Sequence, residues 1–464
     1  MAGYLKYILI SLIVISLSAK FFLIPLSHGL WWDETVYLTL GRNLQNGFYS
    51  LDAGRPLETF RAPVFPLLVS LVSDNITLSR MLVALISVIS VVLVYFLSRE
   101  LFGREVALWA SLFLSTNQLF IFFTTKTLTE PLFISFLSLS LIFFLRRKGN
   151  VQYALLSGVF SGLAFLTRYL GTILIISYIL YFIYLLSKRK GMKGLMKEFV
   201  VVFAGILFVL SPWFLLSYVH YGNIFGAYTS NILEYSDQGR MFSEYFTNVM
   251  QYSYFNDIFQ AFGLQIVFVI LGFYLMLKKG RSGERILLII IFLLPLIFFS
   301  LDPYRQPRYL LSYLPVYAIF SAFALRHKFK ISSLFPLLAV LICIFSMLTG
   351  FVMAWDDRDA ANGLIQGSLY IKDLTGENDY IMSQSYPYIY YLSERRAIVF
   401  PVNTDDLKDS LNEKNIKYVL LYKFEPKNPD YVEDYFDKSD EFVLIKKFEQ
   451  WEDPDAVRIY EFVS

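Results

Sequence analysis

Apolar residues run in long stretches through the first 354 positions of the chain, and polar residues collect between them. Tyr4–Ser27, Thr77–Leu97, Gly171–Leu186, Phe199–Val219 and Ile331–Met353 each approach the ~20 residues with which a helix crosses a bilayer. Irregular backbone could not cross there, because an unpaired peptide group finds no water in hydrocarbon. Along the whole chain the pattern predicts about eleven spans, near 4–27, 77–98, 105–123, 128–145, 152–167, 170–187, 198–219, 258–277, 285–301, 308–325 and 331–354, with 62–74 as a partial twelfth. The first run has Lys6 ahead of it, as a signal peptide would, but it is long and has no clear small-x-small cleavage site. It reads as a retained span.

From Trp355 the pattern becomes charged and alternating. It predicts helix over 356–374, strand over 379–384, a short helix over 386–392, strand over 397–401, helix over 405–414, strand over 416–422, helix near 431–436, and strands over 442–448 and 457–462. That succession makes a small α/β domain, 355–464, large enough to fold independently. The expected fold class is therefore a polytopic α-helical membrane protein, 1–354, with a small C-terminal α/β domain.

Composition agrees with lipid as the main solvent: 56% of the 464 residues are hydrophobic and only 17% charged. The formal net charge of +3 gives no reason to expect a nucleic-acid partner. Membrane lipids are the expected surroundings. The single Cys343 lies inside an apolar run, which excludes a disulfide framework and a cysteine-rich metal site.

The placement of positive charge orients the chain. Lys6, Arg99, Arg104, Arg146, Arg147, Lys148, Lys188, Arg189, Lys190, Lys193, Lys197, Lys278, Lys279, Arg281, Arg285, Arg326, Lys328 and Lys330 all fall on one side of the predicted spans. By the positive-inside rule that side is cytoplasmic. The expectation is a multi-pass protein of the plasma membrane with a cytoplasmic N-terminus. Three larger pieces, 28–76, 220–257 and the tail, then face outward, joined by short turns at 124–127, 168–169 and 302–307.

Candidate chemistry gathers on that outer side. Asp33 and Glu34 follow Trp31 and Trp32 just beyond the first span. Tryptophans there suit an interfacial belt, and Asp33 can cap a helix beginning at Glu34. Glu130, before Pro131, opens a span where a carboxylate in hydrocarbon is expensive. Arg61, Arg80, Arg168, Arg305 and Arg308 stand at outward span ends, and each alone reads as a snorkelling side chain. Together, carboxylates and guanidiniums at one depth describe a place where an anionic lipid headgroup meets a general base. In that reading Asp33 takes the proton from an acceptor hydroxyl. Glu34 or Glu130 orients the acceptor or raises the basicity of Asp33. Arg308, with Arg305, Arg168 and Arg61, holds the departing phosphate. A single displacement of this kind inverts the sugar.

The sequence resembles the integral-membrane glycosyltransferases of the C-type fold, in the branch of protein O-mannosyltransferases and lipid A aminoarabinose transferases. Three segments carry the resemblance: Asp33-Glu34 with Tyr37 and Arg42; Arg61-Ala62-Pro63-Val64-Phe65-Pro66-Leu67-Leu68, without the family's common second proline; and Arg308-Tyr309-Leu310-Leu311-Ser312-Tyr313-Leu314-Pro315. Glu130 stands where the family usually has an acidic residue. The resemblance covers roughly residues 1–330. It implies a polyprenyl-phosphate-linked hexose, mannose or a relative, as donor, an outward C-terminal domain, and Tyr37 and Tyr309 as substrate contacts. The acceptor is open among glycan, lipid and protein hydroxyls.

An asparagine-modifying oligosaccharyltransferase ranks lower, because its Trp-Trp-Asp signature belongs in the C-terminal domain, whereas here Trp31-Trp32-Asp33 lies in the first loop. No cofactor is required by the sequence; the carboxylates could take a divalent ion, while His28, His220 and His327 are scattered. A glycolipid transporter would need charges along a path through the membrane, and Lys20, expected to snorkel, is nearly alone within the spans. A non-catalytic scaffold displaying the tail is the third class. The tyrosines of 220–257 suit sugar faces and the lipid interface equally, Asn75-Ile76-Thr77 reads as a chance sequon, and Tyr386–Tyr391 reads as packing inside the tail ahead of covering the membrane site or binding acceptor.

Overall fold

A computed structural model describes residues 3–188, 192–224, 253–278, 283–300, 306–326, 334–401, 404–413, 416–424 and 428–463. Most of the 220–257 loop, and Arg305, lie outside the described residues. In chain order the helices are α1 Gly3–Leu23, α2 Trp32–Gln45, α3 Val64–Val69, α4 Ile76–Phe102, α5 Arg104–Ser115, α6 Gln118–Phe123, α7 Glu130–Arg146, α8 Val151–Thr167, α9 Gly171–Ser187 and α10 Met192–Tyr221. There follow α11 Ser253–Phe262, α12 Ile266–Lys278, α13 Gly283–Ser300, α14 Pro307–Leu311, α15 Leu314–Arg326, α16 Leu334–Asp356, α17 Asn362–Leu374, α18 Tyr386–Tyr388, α19 Thr404–Glu413 and α20 Asp430–Lys438. The strands are β1 Tyr380–Met382, β2 Arg396–Ile398, β3 Ile416–Tyr422, β4 Phe442–Gln450 and β5 Asp453–Phe462.

Two compact units form. The first comprises Met1–Ile24, Glu58–Phe65 and Thr77–Trp355. It is the membrane bundle: among the described residues six helices are long and apolar enough to cross, and three shorter apolar ones accompany them. The expected 105–123, 258–277 and 308–325 spans are each interrupted. The first two interruptions satisfy one another. Asn117 accepts from the Phe120 N–H at 3.0 Å and donates its amide to the Ala261 carbonyl at 2.9 Å, while the Gln118 amide donates to the Gln260 carbonyl at 2.7 Å. Backbone freed in a low-dielectric interior is tolerated when side chains replace the lost ladder bonds. In the third, Pro315 lacks the N–H that a continuous helix would use.

Close packing depends on small residues. A Cβ on Gly158 would lie 2.0 Å from the Val202 carbonyl oxygen, and one on Gly205 would lie 2.6 Å from that of Leu155, so α8 and α10 cross backbone to backbone. Gly158→Ile is expected to lower stability by about 1–3 kcal/mol through overpacking. Thermal unfolding in detergent measures it; an unchanged midpoint would show that the crossing yields without cost.

Basic residues at the other ends of these helices pair locally, as with Arg146 and Glu100 at 2.7 Å and Arg147 and Glu198 at 3.1 Å. Lys20 differs from expectation. It is fully buried, its ammonium 3.2 Å from the Ser87 hydroxyl and 4.3 Å from the centre of the Phe120 ring, so it does not snorkel.

The second unit comprises Pro25–Leu57, Pro66–Ile76 and Asp356–Ser464, so the first-loop helix α2 belongs with the tail. Its sheet runs β2-β1-β3-β5-β4; β1 pairs parallel with β2 and β3, and β5 pairs antiparallel with β3 and β4. Along the central β3 all residues but Lys417 are buried, the continuous apolar run of a strand covered on both faces. Met382, Leu407, Val419, Leu421, Val432, Phe436 and Tyr460 form the core beneath it. Trp451 and Glu452, both at positive φ, make the two-residue turn between β4 and β5, whose twist matches that of the strands.

Candidate active site

The acidic motif is set by local helix physics. Helix α2 begins at Trp32, two residues earlier than the sequence reading placed it, with Trp31 as its N-cap. Asp33 therefore does not occupy the cap position. Glu34 closes the turn instead: its carboxylate accepts from the Trp31 backbone N–H at 3.1 Å. Both carboxylates sit in the first turn, where the positive end of the helix favours them. Both are buried, Glu34 completely and Asp33 to 7% exposure, and Tyr37 lies one turn further along, also buried.

Aromatic residues of the tail frame this turn within the same unit. The Trp31 indole donates to Asp357 at 2.7 Å, and the Tyr388 hydroxyl donates to the Leu30 carbonyl at 2.9 Å. The Trp32 ring meets Tyr386 edge-on at 5.1 Å. Burial pushes the Tyr388 hydroxyl well above its ordinary pKa, and the negative charges of Glu34, Asp357 and Asp33 act the same way, so it remains a donor. The Tyr386–Tyr391 segment thus packs on the first-loop helix as well as on its own domain.

In the bundle, Glu130 opens α7 and is fully buried. Arg168 donates to its Oε1 and, at 3.0 Å, to the Thr129 hydroxyl. Among the described residues Glu130 Oε2 has no hydrogen-bond partner. The Arg168 side chain is only 13% exposed and Arg80 is almost wholly buried, so neither snorkels as each would alone.

Tyr313 draws neighbouring segments together: its hydroxyl donates to the Leu170 carbonyl at 2.7 Å and its ring meets Phe133 at 5.7 Å. This brings the start of α7, the turn after α8 and the segment between α14 and α15 side by side. Arg308 and Tyr309 lie on α14, both half-buried, with Tyr309 against Phe299. Arg61, also half-buried, lies on the 58–65 segment, which Tyr169 anchors through a 2.6 Å hydrogen bond to the Thr59 carbonyl.

Lys126 escaped the sequence reading. It stands in the turn between α6 and α7 and is 1% exposed, its ammonium 5.0 Å from the centre of the Phe122 ring. The available signal was a lysine flanked by threonines in a turn too short to be a solvated loop. Of the residues singled out from sequence, Glu130, Arg168, Arg61, Arg308 and Tyr309 lie in the membrane unit, and Asp33, Glu34 and Tyr37 in the other. Arg305 lies outside the described residues.

A family model described as dolichyl-phosphate-mannose-protein mannosyltransferase matches residues 62–216. Among solved structures, ArnT from Cupriavidus metallidurans bound to undecaprenyl phosphate superposes with a TM-score of 0.69 at 14% identity, covering 97% of each chain. The archaeal oligosaccharyltransferase AglB from Archaeoglobus fulgidus, in complex with an inhibitory peptide and a dolichol-phosphate, superposes at 0.62 and 16% identity, over 90% of this chain and 70% of that one. No curated protein sequence matches the chain. The chain has the fold of the integral-membrane C-type glycosyltransferases: a multi-pass helical bundle with a small C-terminal sheet domain.

Proposed function

We propose that this protein is a glycosyltransferase that moves a hexose, mannose in the first instance, from a polyprenyl-phosphate donor to an acceptor hydroxyl on the extracytoplasmic face of the plasma membrane. The observation that carries the reading is the buried Glu130–Arg168 pair, with Lys126 buried four residues before Glu130. Burying charge costs several kcal/mol per ion, so such a group inside an apolar bundle marks a functional site. The match to the mannosyltransferase family model and the ArnT-like fold support the same class.

In this mechanism the polyprenyl phosphate is the leaving group. Arg168, Arg308 and Arg61 neutralise its growing charge, and their planar forks suit its oxygens. Asp33 takes the proton of the acceptor hydroxyl as that oxygen attacks the anomeric carbon from the face opposite the phosphate, so the configuration inverts. Glu34 has a structural task in holding the turn on which Asp33 stands. Glu130 orients Arg168. Tyr37 and Tyr309 offer aromatic contact to substrate. Among the described residues no group of three or more His, Cys, Asp and Glu side chains comes together.

The test is transfer by purified protein in lipid vesicles, supplied with labelled polyprenyl-phosphate mannose and then with other polyprenyl-phosphate sugars, against membrane extract as the acceptor source. Label appearing on an acceptor with inverted configuration is the expected result. Absence of transfer from every donor, with labelled lipid instead changing leaflet, would replace this reading with a glycolipid transporter.

A further inference from the structure

We infer that the C-terminal domain is the mount that sets the position of the Asp33 turn, with Tyr388 as its positioning residue; this rests on Asp33 being the base proposed above.

The tail supplies hydrogen-bond partners to the chain leading into α2. The backbone N–H groups of His28 and Gly29 donate to the Arg358 carbonyl at 2.7 and 2.5 Å, and that of Leu30 donates to the Ala360 carbonyl at 3.1 Å. The fit is close enough to require a glycine, since a Cβ on Gly29 would lie 2.3 Å from the Ala360 nitrogen. The Tyr388 hydroxyl then takes the Leu30 carbonyl, and Asp357 takes the Trp31 indole. Four successive residues ahead of the acidic pair, His28 to Trp31, are thereby held by a domain more than three hundred residues away in sequence.

The far end of α2 is held by the same segment of the tail. Arg42 donates to the Tyr391 carbonyl at 3.1 Å and lies 4.7 Å from the centre of the Tyr391 ring. It also pairs with Asp74 at 3.0 Å and Glu394 at 3.5 Å. Tyr391 in turn donates to the Ser73 carbonyl at 3.1 Å. A helix of 14 residues gripped at both ends has little freedom to shift along or about its axis. Proton transfer depends steeply on such placement, and a displacement of about 1 Å can lower a rate on the order of 100-fold.

The experiment uses the full-length protein in vesicles and compares Tyr388→Phe, Trp31→Phe and Gly29→Ala with wild type. Tyr390→Phe is the control, because that hydroxyl donates at 2.9 Å to Ala397 inside the tail and does not reach α2. The expected result for Tyr388→Phe and Trp31→Phe is a kcat lowered about 10- to 100-fold with the donor KM unchanged. Backbone amides of 32–36 should also exchange hydrogen faster, while Tyr390→Phe keeps both readouts at wild type. If Gly29→Ala fails to fold, the two hydroxyl and indole deletions still decide the matter. Unchanged kcat, a KM that rises in step with the fall in kcat, or unchanged exchange over 32–36 would overturn the inference. If wild type transfers no sugar, the exchange measurement alone judges the mount, and the failure belongs to the proposed reaction.

Discussion

Asp33→Asn is expected to lower sugar transfer on the order of 10²- to 10⁴-fold, the range over which a positioned general base contributes. Asparagine keeps the shape and the hydrogen-bonding reach of the carboxylate but cannot hold the acceptor's proton at neutral pH. The neighbouring substitution separates this from a general loss of the acidic turn. Glu34→Gln should retain most activity, because an amide oxygen can still accept from the Trp31 N–H that the carboxylate now takes at 3.1 Å. Initial rates of label transfer measure both. An Asp33→Asn protein as fast as wild type would remove Asp33 as base, and a Glu34→Gln protein as impaired as Asp33→Asn would mean that the two carboxylates act as a unit.

The second large effect concerns the bundle. Arg168→Ala should destabilise the protein by about 3–5 kcal/mol, the cost of leaving one member of a buried ion pair uncompensated. The Glu130 side chain is 1% exposed and that of Arg168 13%, so water cannot replace the lost partner. Removing both charges together, in Glu130→Gln with Arg168→Gln, should restore much of the stability, because no uncompensated charge then remains inside. Transfer should stay low in the double variant, since the cation proposed for the phosphate is gone. Denaturant titration in detergent beside the transfer assay separates the two roles. Equal stability of Arg168→Ala and wild type would show that Glu130 is not held as an ion in the folded protein.

The bundle was legible because hydrocarbon permits so little. Every expected span has helix within it, since a run of apolar residues at that depth has no other way to pair its peptide groups. The tail was legible by periodicity: β3 falls on Ile416–Tyr422 as expected, and helices 404–413 and 430–438 lie within a residue or two of their predicted bounds. The breaks inside spans were not legible. Nothing local at Thr116-Asn117 shows that the amides of Asn117 and Gln118 will find the Ala261 and Gln260 carbonyls across more than 140 positions.

The candidate site divides in the same way. Sequence alone singled out the residue types of the proposed site: acidic residues beside tryptophans in the first loop, a carboxylate opening an apolar helix, and arginines at span ends, all unusual for reasons of charge and solvent. Tertiary structure alone decided where each carboxylate is held. Glu34 became the cap because α2 starts at Trp32, where the Trp31 N–H needs an acceptor. Glu130 became a paired ion because α8 ends with Arg168 beside it. Lys20 and Lys126 became interior residues because neighbouring helices close over them. The first loop joined the tail because Leu30 and Trp31 find their partners in Tyr388 and Asp357. Helix formation depends on neighbours a few residues away, whereas pairing a buried charge or carbonyl depends on whichever distant group the packing brings within about 3 Å.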